Sequence, residues 1–315
     1  MRLCRFLLDE TPLVGFYFDD QIIPFDLAAD AAGLDVDLSQ GENLLAYLPP
    51  DGPLFETALA LDLWLAQLDS DARAGLAQDT ASASLLMPIA HPPKVLLLAG
   101  NYPKHVVERG GTAAERAATF PYVFMKPPST TLTNPGDPIV IPAISPNAID
   151  WECELGVVIG RRARNIAEAD ALEVVAGYTV MNDVSDREFR PNPGRAARPR
   201  DEHFDWLHGK WHDTFLPVGP CVLANDLAEP ADFPISLKVN GQTMQDAHTR
   251  QMVFPVEAIV AFISSFVTLE PGDLIATGTP AGVGASRGVF LKPGDQVEAS
   301  VDGIGTLKNP VIASP

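Results

Sequence analysis

Carboxylates recur at every second position in one stretch of the sequence. Residues 149–160 read Ile-Asp-Trp-Glu-Cys-Glu-Leu-Gly-Val-Val-Ile-Gly, with acids at Asp150, Glu152 and Glu154. Side chains alternate along a strand, so these carboxylates would share one face at spacings of about 6 to 7 Å. The apolar run that follows is typical of a strand buried on both faces. Buried carboxylates repel unless a cation lies between them, so the pattern predicts a site for a hard divalent cation such as Mg²⁺ or Ca²⁺. An edge strand with a solvated acidic face is the alternative.

A third metal ligand is expected from a neighbouring strand. Residues 177–183, Gly-Tyr-Thr-Val-Met-Asn-Asp, read as a strand that ends on Asp183. Asp186 and Glu188 compete for the same place on spacing alone. Zinc is less suitable for such a site because it prefers Cys and His ligands.

Two further segments contain groups that could transfer protons or stabilise charge. If His105 begins a helical turn, Glu108 at i+3 lies beside its imidazole, and the pair would form a general base that activates water. The same spacing is common on solvated helices. Lys210 could stabilise a developing enolate, or it could be an ordinary surface lysine. His208 and His212, at i and i+4, could bind a metal, but the intervening glycine and the absence of other ligands argue against it.

Two loops could contact an anionic substrate. Residues 187–200 contain one acid, Glu188, and five arginines: Arg187, Arg190, Arg195, Arg198 and Arg200. The Pro-Asn-Pro-Gly within this segment predicts a loop, either solvated or acting as a lid that presents guanidinium groups to a carboxylate. Residues 277–284, Thr-Gly-Thr-Pro-Ala-Gly-Val-Gly, could offer backbone N–H groups to an oxyanion, but they match neither a P-loop nor a dinucleotide fingerprint.

A β-rich framework must position these residues. Pro-Gly-Asp at 135–137, 271–273 and 293–295 predicts turns. Helices are expected over 53–68, after Asn165 with a capping-box-like start, and from Val256 to Val267 with apolar residues on one face. Short apolar runs predict strands at 95–99, 139–141, 155–159, 178–181, 235–239, 274–277 and 297–301. The whole suggests an antiparallel-rich α+β fold.

Charge separates the beginning of the chain from the rest. Residues 1–90 hold 15 acids against three basic residues, which is −12 of the net −19, and contain no histidine. Three prolines between Met87 and Pro93 then interrupt regular structure. We therefore predict a small acidic N-terminal domain over 1–90, beginning with a hairpin around Asp19, and a catalytic domain over 91–315.

The composition also limits the partners of the protein. With 41 acidic and 22 basic residues and a pI near 4.5, nucleic acid and anionic membranes are disfavoured. No stretch reaches the ~18 to 20 apolar residues that span a bilayer, and the charged start does not resemble a signal peptide, so a cytoplasmic location is expected. An odd number of cysteines without C-x-x-C spacing fits neither a disulfide framework nor a zinc ribbon: Cys4, Cys153 and Cys221.

Together, these stretches resemble the fumarylacetoacetate hydrolase superfamily. Each match is weak alone, but their order and combination over about residues 94–309 are specific. The matching stretches are Asn101-Tyr-x-x-His105-x-x-Glu108, Phe124-Met-Lys-Pro-Pro128, Asp150-Trp-Glu152-Cys-Glu154-Leu-Gly, Gly177-Tyr-Thr-Val-Met-Asn-Asp183-Val-Ser-Asp-Arg187, Gly209-Lys210 with Asp213-Thr-Phe-x-Pro-x-Gly-Pro220, Val239-Asn-Gly-x-x-x-Gln245 and Thr277-Gly-Thr-Pro-Ala-Gly-Val-Gly284.

The resemblance implies a fold and a set of roles. The fold would be a mixed β-roll with short flanking helices and a small N-terminal domain, assembled as a homodimer. Mg²⁺ or Mn²⁺ would be bound by Glu152, Glu154 and Asp183. The catalytic groups would be His105, Glu108 and Lys210, and the contacts to a small anionic 2-oxo acid would be Arg187, Thr279 and Gln245. Asp150 would then be a bystander or a neighbour of the ligands.

The departures from the family pattern lie near the expected substrate. Lys210-Trp-His-Asp213 stands where relatives commonly have Lys-Ser-Phe/Leu-Asp, and Arg190 stands where a glutamine is frequent. The arginine-rich loop is also longer than in compact members. The identity of the substrate is therefore less well defined than the metal site.

The leading hypothesis is a hydrolase that cleaves a C–C bond in an acylpyruvate-type 2,4-dioxo acid. Alternatives are oxaloacetate decarboxylation, isomerisation or hydration of a 2-hydroxymuconate-type acid, a sugar-acid lactonase, and a non-catalytic metal-binding protein. The presence of His105, Glu108 and Lys210 argues against the last of these.

Overall fold

The computed structural model describes residues 1–80, 83–113, 115–225 and 232–315. The strands in these ranges are β1 (Arg2–Leu8), β2 (Thr11–Tyr17), β3 (Gln21–Pro24), β4 (Gln78–Asp79), β5 (Ser84–Leu86), β6 (Val95–Ala99), β7 (Tyr122–Met125), β8 (Leu132–Thr133), β9 (Ile139–Ile141), β10 (Ile149–Asp150), β11 (Cys153–Ile159), β12 (Val175–Asn182), β13 (Ser185–Asp186), β14 (Leu216–Ala224), β15 (Pro234–Val239), β16 (Gln242–His248), β17 (Leu274–Ala276), β18 (Gln296–Val301) and β19 (Gly305–Ala313). The α-helices are α1 (Phe25–Ala31), α2 (Phe55–Leu65), α3 (Ser70–Ala74), α4 (Pro103–Glu108), α5 (Asp201–His208), α6 (Val256–Phe266) and α7 (Gly284–Arg287). Short 3₁₀ helices span Leu44–Tyr47, Arg116–Ala118, Glu168–Val174 and Thr249–Gln251.

Two large sheets form the framework. The first has 12 strands along the order β4-β3-β2-β1-β14-β12-β11-β17-β6-β7, with β5 on β1 and β8 on β14. The second has the order β16-β15-β18-β19-β9, and β10 pairs with β13 in a separate small sheet. Most pairs are antiparallel, but β17 with β6, β14 with β8 and β19 with β9 are parallel. With 32% strand and 23% helix, the predicted β-rich α+β fold with mixed sheets is confirmed.

The strands that contain the predicted metal ligands lie in the interior of the large sheet. Every residue of β11 and of β12 is buried, which agrees with their near-continuous apolar sequences. The two strands are antiparallel, with Cys153 opposite Asn182. This register places the residue before Cys153 next to the residue after Asn182, so Glu152 and Asp183 are brought together at one end of the pair.

All seven predicted apolar runs form strands, and α6 begins at the predicted residue. The three Pro-Gly-Asp turns are also confirmed, since their glycines have φ of +85°, +88° and +94°. The predicted hairpin forms between β2 and β3. The helix expected over 53–68 is α2.

Two local predictions were wrong. The capping box at Asn165 does not form, because Asn165 has φ of +54° and its N–H donates to the Ser264 carbonyl, so a 3₁₀ helix starts only after Ala167. Asp150 does not continue the strand of Glu154. The N–H groups of Trp151 and Glu152 donate to the side chains of Asp150 and Asn182, which ends β10 before β11 begins.

The first ninety residues join the rest of the chain through a strand pair. Leu3 in β1 lies opposite Val222 in β14, so the large sheet contains strands from both sides of the predicted boundary near residue 91. The boundary itself stays a prediction. No helix in the described ranges is long and apolar enough to cross a membrane.

Candidate functional site

Three carboxylates meet where β11 begins and β12 ends. Glu152 precedes β11, Glu154 lies within it, and Asp183 follows β12 and donates its N–H to the Glu152 carbonyl at 2.9 Å. One carboxylate oxygen from each lies within 4.8 Å of the other two. The exposed fractions are 5%, 0% and 1% respectively, so the group is closed to bulk water. We call these three residues the acidic triad.

Three cationic side chains surround the acidic triad, of which Lys210 and Lys126 are buried and Arg187 is partly buried. Lys210 Nζ lies 2.7 Å from Glu152 Oε2 and 2.5 Å from Asp183 Oδ2. Lys126 Nζ lies 2.6 Å from Asp183 Oδ1 in a charge contact without hydrogen-bond geometry, and donates to two backbone carbonyls. Arg187 Nη2 lies 2.5 Å from Glu152 Oε1. Buried ions are tolerated because each carboxylate of this cluster has a cation or a backbone donor beside it.

Burial and charge shift the pKa values of two carboxyls in opposite directions. Burial raises the pKa of Glu152, but the charges of Lys210 and Arg187 outweigh it and hold the pKa well below its usual value. The pKa of Glu154 is raised well above its usual value, first by burial and then by repulsion from Asp183 and Glu152. The site thus contains one firmly ionised carboxylate and one that favours its neutral form.

The pKa values of the two lysines also shift in opposite directions. Burial lowers the pKa of Lys126 to about 8, although Asp183 opposes this shift. Burial also lowers the pKa of Lys210, but attraction to Asp183 and Glu152 outweighs it, so the net shift is upward. Lys210 is therefore the more firmly charged of the two.

The acidic triad fits a hard divalent cation. Glu154 Oε2 accepts a hydrogen bond from the Gly278 N–H at 2.6 Å, whereas Oε1 is buried and has no hydrogen-bond partner in the described part of the chain. An orphaned buried carboxylate oxygen is costly unless a cation contacts it. The donor set consists of oxygen atoms alone, which suits Mg²⁺ or Mn²⁺ better than zinc.

His105 and Glu108 form the expected pair on α4. His105 Nδ1 lies 2.8 Å from Glu108 Oε1, and both side chains are half-buried. The Gly282 N–H donates to both Glu108 oxygens, at 3.1 and 2.9 Å. The same loop contacts the acidic triad, since the Gly278 N–H donates to Glu154 Oε2 at 2.6 Å. The dyad therefore lies beside the acidic triad, anchored to the loop at 277–284.

Thr279 and Gln245 hold this loop against β11. Thr279 Oγ1 donates to the Cys153 carbonyl at 2.9 Å. Gln245 Oε1 accepts from the Cys153 N–H at 2.9 Å, and its Nε2 donates to Thr279 Oγ1 and to the Pro280 carbonyl, both at 2.8 Å. Both N–H groups and the carbonyl oxygen of the Gln245 amide thus have partners inside the protein. A substrate contact for either residue stays a prediction, whereas their part in positioning the loop is visible.

The other candidates lie apart from the acidic triad. Asp186 Oδ2 lies 3.3 Å from His212 Nε2, and Asp186 Oδ1 accepts from the N–H of the exposed Glu188. In the arginine-rich loop, Arg195 pairs with Asp205 of α5 at 2.5 Å and Arg198 pairs with Asp201 of α5 at 3.3 Å. These arginines therefore fasten the loop to α5, and Arg187 is the one that reaches the acidic triad.

Sequence reasoning missed the roles of two residues. Lys126 occurs in a matched motif, but the sequence gives it no role, because a single lysine has no periodic signal. The family resemblance gives Asp150 no ligand role, yet Asp150 is completely buried and lies 2.8 Å from Arg187 Nε. The signal that could have identified both is their charge beside otherwise apolar stretches of sequence.

Comparison with known proteins agrees with this geometry. The family described as fumarylacetoacetate (FAA) hydrolase C-terminal matches residues 94–312. The chain is 41% identical over 235 residues to the Xenopus laevis protein named oxaloacetate tautomerase fahd2, mitochondrial, covering 74% of this chain and 69% of that one. It is 39% identical over 235 residues to the Rattus norvegicus protein named oxaloacetate tautomerase Fahd2a, mitochondrial, covering 74% and 70%.

Solved structures are similar over the whole chain. A fumarylacetoacetate hydrolase from Exiguobacterium antarcticum is 30% identical with a TM-score of 0.75, and each chain is covered completely. Maleylpyruvate hydrolase from Sphingobium sp. SYK-6, solved in complex with manganese(II) ion and pyruvate, is 29% identical with a TM-score of 0.72 and the same coverage. The protein therefore belongs to the fumarylacetoacetate hydrolase family.

Proposed function

We propose that this protein is a divalent-metal-dependent enzyme that interconverts the keto and enol forms of a 2-oxo dicarboxylic acid, with oxaloacetate as the first candidate. The observation that carries the proposal is the acidic triad with Lys210 and Arg187 in contact with it and the His105–Glu108 dyad beside it. The two relatives named oxaloacetate tautomerases, 41% and 39% identical to the chain, favour this reaction among those that the family catalyses.

The charge of the site suits an anionic substrate. Bound by the acidic triad, Mg²⁺ or Mn²⁺ would polarise the 2-oxo group and stabilise the enolate. With Glu154 ionised, the acidic triad and Asp150 contribute −4 and the cations Lys210, Lys126 and Arg187 contribute +3, so a divalent ion brings the local formal charge to +1. A dicarboxylate would be attracted to this site.

The residues of the chain divide the proton transfer between them. Because Glu108 accepts a hydrogen bond from Nδ1, the neutral imidazole of His105 has Nε2 available to take a proton. In the enolisation, the C3–H bond breaks, the proton moves to His105 Nε2, and the electron pair moves to the 2-oxo oxygen. The imidazolium then returns the proton to that oxygen. Lys210 would donate a hydrogen bond to the developing oxyanion, and Arg187 would orient a carboxylate.

Hydrolysis of an acylpyruvate is the second candidate, since Glu108 is held at both oxygens by Gly282. A base fixed in this way is suited to taking a proton from water. The hydroxide would attack the carbonyl distal to the 2-oxo acid, and the C–C bond would break with its electron pair moving into the enolate of pyruvate. The similarity to maleylpyruvate hydrolase, with a TM-score of 0.72, supports this alternative.

The test is a panel of substrates assayed with Mg²⁺ or Mn²⁺. Enol absorbance reports oxaloacetate tautomerisation, and pyruvate release reports both oxaloacetate decarboxylation and the cleavage of acetylpyruvate or fumarylpyruvate. We expect His105→Ala to lower the active reaction by about 100-fold or more, and Lys210→Met to lower it similarly. The exposed His91 provides a matched control, since His91→Ala should leave the rate unchanged. Absence of turnover of every 2-oxo acid by the metal-loaded wild type would overturn the proposal.

A further inference from the structure

We propose that Asp150 is a positioning residue that fixes residues 282–285 to the metal-site strand and thereby aligns the His105–Glu108 dyad with the acidic triad. The proposal rests on the proposed function, in which that dyad moves the proton. It gives a role to the first carboxylate of the alternating stretch, which supplies no ligand to the triad.

Both oxygens of the Asp150 carboxylate accept hydrogen bonds from other groups of the protein. It has no exposed surface. Its Oδ1 accepts from the N–H groups of Trp151 at 2.8 Å and Gly284 at 2.6 Å. Its Oδ2 accepts from the Ala285 N–H at 3.0 Å and from Arg187 Nε at 2.8 Å. A carboxylate has about four acceptor sites, so these bonds leave none for a metal or a substrate.

The approach of the loop to Asp150 requires a glycine. A Cβ atom on Gly284 would lie 2.7 Å from Asp150 Oδ1 and 2.1 Å from the Val289 carbonyl oxygen. Any side chain would therefore push the loop away from the carboxylate. Gly284 thus has a steric reason to be glycine, to which the Asp150 contact and the Val289 carbonyl both contribute.

From this anchor the loop reaches the dyad through one residue, Gly282. The Gly282 carbonyl accepts from Trp151 Nε1 at 3.2 Å, and the Gly282 N–H donates to Glu108 at 2.9 and 3.1 Å. Glu108 in turn holds His105 at 2.8 Å. Helix α4 has only six residues and none of them is fully buried, so this bond replaces core packing as its support on this side.

Asp150 is also linked to the acidic triad through Arg187. Arg187 spans Asp150 and Glu152, with its Nε on the first and its Nη2 on the second at 2.5 Å. One carboxylate thus connects a metal-ligand candidate to the loop that supports the general base. Loss of that carboxylate is expected to displace the base, whereas loss of Glu108 leaves the anchor intact.

The test combines Asp150→Asn with Glu108→Gln. The asparagine keeps the size of the side chain, but its NH₂ group cannot accept from Arg187 or Ala285. We expect Asp150→Asn to lower kcat by about 10- to 100-fold, because a shift of the base by about 1 Å is sufficient for such a loss. With Glu108→Gln already present, the same substitution should change kcat by less than about threefold, since the carboxylate that connects the loop to His105 has already been replaced.

Hydrogen exchange gives a second readout that needs no activity. Asp150→Asn is expected to accelerate amide exchange in both 282–285 and 103–111. Glu108→Gln should accelerate exchange in 103–111 and at Gly282, whose N–H donates to Glu108, but not at 284–285, because Asp150 still holds the Gly284 and Ala285 N–H groups. Faster exchange in 103–111 with unchanged exchange at 284–285 can be measured in Glu108→Gln even if Asp150→Asn does not fold.

Asp273→Asn is the matched control. Asp273 is also completely buried, lies 2.9 Å from Lys94 Nζ and accepts from the Glu270 N–H at 2.8 Å, but it lies at the opposite end of β17 from Thr277. It should lower stability without coupling to Glu108 and without changing exchange in 103–111. Equal kcat losses for Asp150→Asn in the presence and absence of Glu108, or unchanged exchange in 103–111, would overturn the proposal. A wild type that turns over no 2-oxo acid would reject the proposed function, while the exchange data would still decide the positioning role.

Discussion

Glu154 lies on β11 with no exposed surface, and one of its oxygens has no hydrogen-bond partner in the described ranges. Its folded pKa is raised above the usual 4.5 by burial and by the neighbouring carboxylates. At pH values between 4.5 and the raised pKa, Glu154 holds a proton in the folded chain that it has released in the unfolded chain. The free energy of unfolding of the metal-free protein therefore falls as pH rises through this interval.

Glu154→Gln should remove this pH-dependent loss of stability, and it should also remove the metal site. At pH 8 we expect the metal-free variant to be about 0.5–2 kcal/mol more stable than the wild type, because a glutamine is neutral without holding a proton that the unfolded chain would release. Thermal unfolding with and without Mn²⁺ measures both effects. Mn²⁺ should stabilise the wild type and leave the variant unchanged, since only a ligand that binds the folded state shifts its stability.

Glu188→Gln is the control for this prediction, because Glu188 is exposed and competed for the third ligand position on spacing alone. It should show the stability and the Mn²⁺ response of the wild type. A Glu154→Gln protein that is less stable at pH 8, or that still responds to Mn²⁺, would contradict the interpretation of Glu154.

At the scale of single residues, the sequence predicted the candidate ligands on one strand but could not select the third. Glu152 and Glu154 were recognisable because acids at alternate positions are unusual in an apolar run. Asp183 could be distinguished from Asp186 only by the pairing of Cys153 with Asn182, which is a tertiary fact. The family resemblance supplied the choice that spacing left open.

At the scale of elements, the loop after β17 determines the geometry of the site. Gly278 has φ of +91°, its N–H donates to Glu154 at 2.6 Å, and a Cβ there would lie 2.8 Å from Asn101 Cβ. Asn101 in turn joins the loop to the Phe254 segment, through bonds to the carbonyls of Thr277 and Phe254. The loop is therefore held rigidly where it contacts Glu154, the candidate metal ligand.

Gly278→Ala should damage the metal site, because the new methyl group displaces the N–H that orients Glu154. Gly136→Ala separates this effect from backbone strain, since Gly136 has φ of +85° with nothing within 4 Å of its Cβ position. We expect Gly136→Ala to cost about 1–2 kcal/mol of stability with the Mn²⁺ response intact. Gly278→Ala should cost more and weaken Mn²⁺ binding, measured by titration. Equal Mn²⁺ affinities in the two variants would show that the loop does not orient Glu154.

Elements with strong periodicity were predicted well, and those set by distant contacts were not. The apolar face of α6 and the short strands follow from local pattern and turn chemistry. The segment after Asn165 does not, because Ser264 of α6 takes the N–H groups of Asn165 and Ile166 that a capping box would need. Local propensity was overridden there by tertiary hydrogen bonds.

At the scale of the whole molecule, the first ninety residues share a core with the remainder. Leu3 and Phe16 pack in the same buried cluster as Val158 and Val222. We expect the full chain to unfold in one cooperative transition, and residues 91–315 alone to lose it, because removal of β1 uncovers β14. Calorimetry on both proteins measures this. A truncated chain that unfolds at the temperature of the full chain would support the boundary near residue 91 as that of an independent domain.

An uncharged aromatic face lies at the end of the large sheet. The edge strand β7 borders a groove of about 650 Å³ whose lining includes Phe120, Tyr122, Trp206, Trp211 and Phe266. Phe120, Tyr122 and Phe266 are 59%, 64% and 52% exposed. No acid lines the groove among the described residues, although the chain has a net charge of −19. A contiguous exposed apolar surface of this kind marks an interaction site.

A second copy of the chain is the partner that we expect on this face. Two molecules with a charge of −19 repel each other over most of their surface, so a homodimer requires contact through a region without carboxylates. We expect a mass of twice 33.8 kDa by light scattering, and a shift to the single-chain mass for Phe266→Glu, which places a charge inside the contact. Leu63→Glu is the control, because Leu63 is 58% exposed on α2 and outside the groove. A wild type with the mass of one chain, or a Phe266→Glu variant that stays dimeric, would show that the aromatic face serves another purpose.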